Sequence, residues 1–196
     1  MGIFVIGLVL FLGIHTVSIV APQWREGQVA RLGEGPWKGI YSVVSAIGLG
    51  LLIYGYGAAR HAPVVLYTPP SALRHLALLL MLPVFPLLLA PYLPGRIQAA
   101  TRHPMLLAVK LWATAHLLAN GTLADVLLFG GFLLWAVADR ISVKRRGPGG
   151  AGSAPHAPRR PVNDAIVVVV GLALYALFVL RAHQWLFGVS PIPSLQ

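Results

Sequence analysis

The chain has 196 residues, of which 57% are hydrophobic and only 10% charged, whereas a soluble domain carries about a quarter charged residues. There is too little polar surface here to cover a soluble globule. The formal net charge of +10 would suit a nucleic-acid partner, but the basic residues lie between apolar runs, the pattern of loops beside a membrane. Nucleic-acid binding is therefore set aside. Cysteine is absent, which excludes disulfides, thiolate metal sites, iron–sulfur clusters and a cysteine nucleophile.

Taken in chain order, Met1 and Gly2 lead directly into an apolar run without the basic leader of a secretory signal, so the first stretch reads as a membrane helix. A spanning helix needs about 20 mainly apolar residues. Six stretches approach this, at 2–21, 39–58, 71–91, 104–119, 122–140 and 164–183. The expectation is one all-α domain over 1–196, a polytopic bundle of six transmembrane helices. Gly48, Gly50, Gly55 and Gly57 in the second span, and Gly130 and Gly131 in the fifth, permit close helix approach. Pro83 and Pro86 imply a kink in the third, tolerable where neighbours satisfy the freed carbonyls. The fourth span is short and contains Lys110 and His116. It is joined to the fifth by the turn dipeptide Asn120-Gly121, and Thr122 with Asp125 fits a capping box at the start of the fifth.

The segment 141–163 gathers Lys144, Arg145, Arg146, Arg159 and Arg160 among Gly, Pro, Ser and Ala, the composition of a disordered linker. By the positive-inside rule it is cytoplasmic, together with the loops carrying Arg25, Arg31 and Lys38, and Arg96 and Arg102. Both termini then face the periplasm or exterior.

Ionisable residues inside spans are costly and face the bundle interior or a cavity, so each is a functional candidate. These are His15, His75, Lys110, His116 and Asp125, with His103, Asp139 and His183 near helix ends. Folding the fourth and fifth spans about Asn120-Gly121 sets His116 opposite Asp125, and Arg102 with His103 opposite Asp139. His116 and Asn120 share a helix face. Asp125 either stands behind His116 as the partner of a ligating imidazole or simply caps the fifth helix. Two neutral imidazoles on different helices are the usual protein contribution to a b-type haem. Zinc suits the pattern less, because three or four ligands at one depth are not evident.

The run Thr101-Arg102-His103-Pro104, continuing through Leu111-Trp112, Ala115-His116-Leu117-Leu118-Ala119-Asn120-Gly121 and Leu128-Phe129-Gly130-Gly131-Phe132, resembles the signature of the NnrU family. Gly13-Ile14-His15 and Arg74-His75-Leu76 are similar to that family's pattern as well. NnrU proteins are bacterial inner-membrane proteins associated with nitrite and nitric oxide reduction, and their relatives include the plant ζ-carotene isomerase, which uses haem b. The resemblance implies a haem b-binding bundle in a bacterial inner membrane, with the isomerase's two haem histidines falling by motif on His15 and His116 and a further motif histidine on His103. It also implies a hydrophobic polyene, or components of a nitrite or nitric oxide reductase, as partners beside membrane lipid. Ala113 stands where the isomerase has a cysteine three residues before its second histidine, so ligand exchange through that thiolate is excluded here. Span depth, taken alone, matches His116 better with His75 than with His15. The second haem ligand therefore stays open between them. Two other readings remain, a non-catalytic accessory protein for a reductase and a small transporter using Lys110, His116 and Asp125. No inverted repeat supports the transporter.

Overall fold

The structure is a computed structural model that describes residues 1–146 and 160–192. Ten α-helices and one π-helical turn account for most of them: α1 Gly2–Val20, α2 Pro22–Leu32, α3 Glu34–Ala59, α4 Ser71–Met81, α5 Val84–Leu89, α6 Arg96–Thr101, α7 Pro104–Ala119, α8 Leu123–Arg146, α9 Pro161–Leu177, the π turn Phe178–Ala182 and α10 His183–Phe187. Five helical stretches are long and apolar enough to cross a membrane, at Gly2–Val20, Glu34–Ala59, Ser71–Leu89, Leu123–Arg145 and Pro161–Phe187. A multi-pass membrane bundle follows. Pro104–Ala119, the fourth apolar stretch read from sequence, is a helix but a shorter one.

Several boundaries differ from those the hydropathy pattern suggests. Residues 22–32, expected as loop, form α2, with Pro22 at a helix start where its missing N–H costs nothing. The basic segment expected from 141 begins with helix, since α8 continues to Arg146. The remainder of the linker, 147–159, lies outside the described residues. The third span is divided at Leu82-Pro83 into α4 and α5. There the Leu82 N–H bonds the Leu79 carbonyl, and the Leu78 carbonyl accepts the Tyr175 hydroxyl of α9 at 2.9 Å. A neighbouring helix thus satisfies a backbone acceptor at the proline break, the condition for such a break in an apolar medium.

Laterally the elements run α3, α1, α8, α7, then α4–α5 and α9. The α1–α3 contact is the most extensive, and glycine makes it possible. A Cβ on Gly7 would collide with the backbone at Leu51–Leu52, one on Gly48 with Leu10–Phe11, and one on Gly55 with Ile3–Phe4. Gly50 and Gly57, on the other side of α3, face open space. Phe4 fills the join completely, at 0% exposure, in a core with Leu52, Ala59, Leu128 and Phe129. At one end of the bundle Asp164 accepts hydrogen bonds from the backbone N–H groups of Arg96 (2.9 Å) and Ile97 (3.0 Å), tying the start of α9 to α6. At the other end the 61–70 loop is fastened over the α7–α8 turn by Leu66 and Tyr67 N–H bonds to the Gly121 carbonyl.

The two faces of α3 give a direct comparison. Gly55→Leu is expected to destabilise the bundle by about 1–3 kcal/mol or more through overpacking, read as a lower melting temperature in detergent. Gly57→Leu should leave it unchanged, and equal losses would show that close α1–α3 packing is not what the glycines serve.

Candidate functional site

Asp125 is the one buried charged residue among the described positions, 6% exposed. It sits in the first turn of α8 and closes the capping box expected from sequence. Its Oδ2 accepts the Thr122 N–H (3.0 Å) and the Thr122 hydroxyl (2.6 Å), and its own N–H donates to Thr122 Oγ1 (3.2 Å). The other carboxylate oxygen accepts the Tyr56 hydroxyl of α3 at 2.5 Å. One carboxylate therefore caps α8 and joins it to α3.

One turn deeper, His116 stacks on Phe129, with ring centroids 4.5 Å apart and planes 27° from parallel. Side chains on a helix lean toward its N-terminus, so on this antiparallel pair His116 leans away from the turn and Phe129 leans toward it. That tilt shifts the ring contact from position 125, the equal-depth partner, to position 129. The Nδ1 of His116 lies 2.8 Å from the Trp112 carbonyl. A carbonyl can only accept, so Nδ1 carries the hydrogen and the neutral ring leaves its lone pair on Nε2. Asn120 bonds the His116 backbone carbonyl through its side-chain amide, at 3.0 Å, and not the ring.

His15 repeats this arrangement on α1. Its Nδ1 lies 2.6 Å from the Phe11 carbonyl, so there too Nδ1 carries a hydrogen. Phe11 (4.4 Å), Tyr41 (5.2 Å) and Trp135 (6.0 Å) surround the ring. A continuous aromatic run connects the two histidines: Phe11 lies 5.7 Å from Phe132, Phe132 lies 5.4 Å from Trp112, and Trp112 lies 5.3 Å from His116. Phe129 and Trp135, which touch His116 and His15 respectively, are six residues apart on α8, about 9 Å along the axis. In the ring that meets His15, Trp135 Nε1 is buried without a hydrogen-bond partner, an expensive state for a polar atom in an apolar interior.

The other residues singled out by sequence are dispersed. His75 is exposed on α4. His103 is the N-cap of α7, and Arg102 before it is exposed with φ of 60°, the only positive φ outside glycine among the described residues. These two belong to the reversal between α6 and α7, at the end remote from His116. No group of three or more His, Asp or Glu able to hold a metal occurs among the described residues. Sequence reasoning did not single out Tyr56, Tyr67 or Trp135, and it named Trp112 and Phe129 only within the run that resembles the family signature. Tyr67 donates its hydroxyl to the Leu117 carbonyl at 2.5 Å, supplying a partner to the C-terminal end of α7, and burial followed by the nearby Asp125 charge raises its pKa. For Tyr56, Tyr67 and Trp135 the only sequence signal was aromatic character in or beside apolar runs.

The model of the family described as NnrU protein matches residues 3–191. The chain belongs to the NnrU family. No curated protein and no solved structure matches it.

Two outcomes test this geometry. Tyr56→Phe keeps the ring and deletes the donor to a buried carboxylate, so a loss of about 1–3 kcal/mol is expected, measured by thermal unfolding in detergent; an unchanged melting temperature would show that the Tyr56–Asp125 bond contributes nothing. His103 gives a pH signature. Burial holds its imidazole below the ordinary 6.5, aided by Arg140 and Arg102 and opposed by Asp139. The unfolded chain therefore binds the proton first as pH falls, and stability present above pH of about 6.5 declines through the window below it. Acidification from about pH 7.5 to about pH 5 should lower the melting temperature less in His103→Gln than in the parent protein.

Proposed function

We propose that this NnrU-family chain is a haem b-binding protein of the bacterial inner membrane, with His116 and His15 as the residues that would hold the haem iron and both termini on the exterior side. The observation that carries the reading is the matched state of the two histidines. Each has Nδ1 fixed to the carbonyl four residues before it on its own helix, which holds the ring orientation and reserves Nε2 for a metal. They stand on different helices, α1 and α7, with flat aromatic faces between them. The donor set suits haem iron, which takes neutral imidazoles, and the unpartnered Trp135 N–H suits a cofactor bearing polar substituents. His15 is preferred to His75 because it lies in this interior and His75 does not.

Bound haem would supply one-electron and Lewis-acid chemistry. The chain's own part is to hold the two imidazoles, to fix the α7–α8 hairpin through Asp125, Thr122 and Tyr56, and to surround the reacting region with apolar rings that exclude water. The reaction served is proposed from the family resemblance: nitrogen-oxide metabolism in denitrification, or cis–trans isomerisation of a polyene drawn from the bilayer.

The test is a reduced-minus-oxidised optical spectrum of protein expressed with ample haem and purified in detergent. Sharp b-type bands are expected, lost for the most part in His116→Ala and in His15→Ala and retained in His75→Ala. A featureless spectrum from haem-replete protein would falsify the cofactor assignment, and loss in His75→Ala with retention in His15→Ala would overturn the ligand pair.

A further inference from the structure

A cavity of about 440 Å³ opens between α1, α2 and α8, lined by Ile19, Pro22, Ala138, Ile141, Ser142 and Arg145. Its chemistry is divided. Four of the six residues give aliphatic walls, and Ser142 and Arg145, three apart on the last turns of α8, supply a hydroxyl and a guanidinium on one helix face. The cavity lies at the end of the bundle that carries most of the basic side chains. Arg25 follows Pro22 by three residues on α2 and is close enough for its charge to act on Glu34 and on the Tyr41 hydroxyl. Trp24 of α2 packs edge-on against Trp37 at the start of α3, centroids 5.8 Å apart, and Trp24 is itself 55% exposed. Tryptophan beside an apolar run marks headgroup depth, so the cavity's polar end and its aliphatic walls straddle the boundary between headgroups and acyl chains.

We propose that this crevice is a binding site for an anionic phospholipid, with the headgroup phosphate held by Arg145 and Ser142 and the start of an acyl chain against Ile19, Ala138 and Ile141. Charge complementarity selects the occupant, because a basic pocket between helices at a bilayer surface is neutralised by a lipid phosphate that carries net negative charge. A zwitterionic lipid offers the same tail with no net charge to gain. The site is independent of haem, since none of its six residues belongs to the histidine and aromatic run.

The experiment uses the full chain exchanged into a non-ionic detergent and titrated with phosphatidylglycerol or phosphatidylcholine, bound lipid being counted by native mass spectrometry. Phosphatidylglycerol is expected to bind roughly fivefold or more tightly than phosphatidylcholine, the preference falling away in Arg145→Gln and both lipids binding more weakly in Ile141→Trp, which fills the crevice. Arg31→Gln, an exposed site on α2, should retain the preference. Displacement of phosphatidylglycerol by millimolar inorganic phosphate alone would replace the lipid with a free-anion site. Equal affinity for the two lipids, or a preference unchanged in Arg145→Gln, overturns the proposal.

Discussion

Inside an apolar medium every backbone N–H and carbonyl must find its partner within the protein, because no water is present to replace a missing one. In this bundle the places where the helical ladder is interrupted are the places where distant elements are joined. The Leu82-Pro83 break gives a carbonyl to Tyr175 of α9. The exposed amides at the start of α6 take Asp164, and the carboxylate that caps the start of α8, Asp125, takes the Tyr56 hydroxyl of α3. Helix ends that would be costly alone become the points at which tertiary structure is specified.

The same requirement shapes the histidines. An imidazole on a helix can donate its Nδ1 hydrogen to the carbonyl four residues earlier, as His15 and His116 both do, and the ring is then satisfied on that side within its own helix. The carboxylate nearest His116 has a different task. Asp125 is occupied by Tyr56 and Thr122, so it fixes the hairpin on which His116 stands while the Trp112 carbonyl sets the ring's tautomer. Orientation of the imidazole is thereby a property of α7 itself, and its surroundings are a property of the α3–α8 junction.

Charge is partitioned along the bundle axis with equal economy. The end formed by α2, α6, the close of α8 and the start of α9 gathers Arg25, Arg31, Lys38, Arg96, Arg102, Arg140, Lys144, Arg145 and Arg160, whereas Arg60, Arg74 and Arg181 belong to the other end. This separation makes the α1–α2–α8 crevice basic at its mouth and apolar within. The haem reading and the lipid site thus occupy different depths of the same α1–α8 wall.

Much of this was legible in the residues. Apolar runs located the helices, Asn120-Gly121 located the hairpin turn and Thr122 with Asp125 its cap, because each depends on neighbours within a few positions. Of the four glycines noticed in the second span, sequence could not say which pair met a partner; Gly48 and Gly55 do, because they lie on the face of α3 that α1 approaches. Nor could it pair Tyr56 with Asp125, 69 residues away, or set His15 and not His75 beside the aromatic interior. Local spacing determines secondary structure, caps and the chemistry each side chain can perform. Which side chains share a depth and a face depends on helix tilt, offset and lateral order, quantities fixed by the packing of whole helices and carried by no single stretch of the chain.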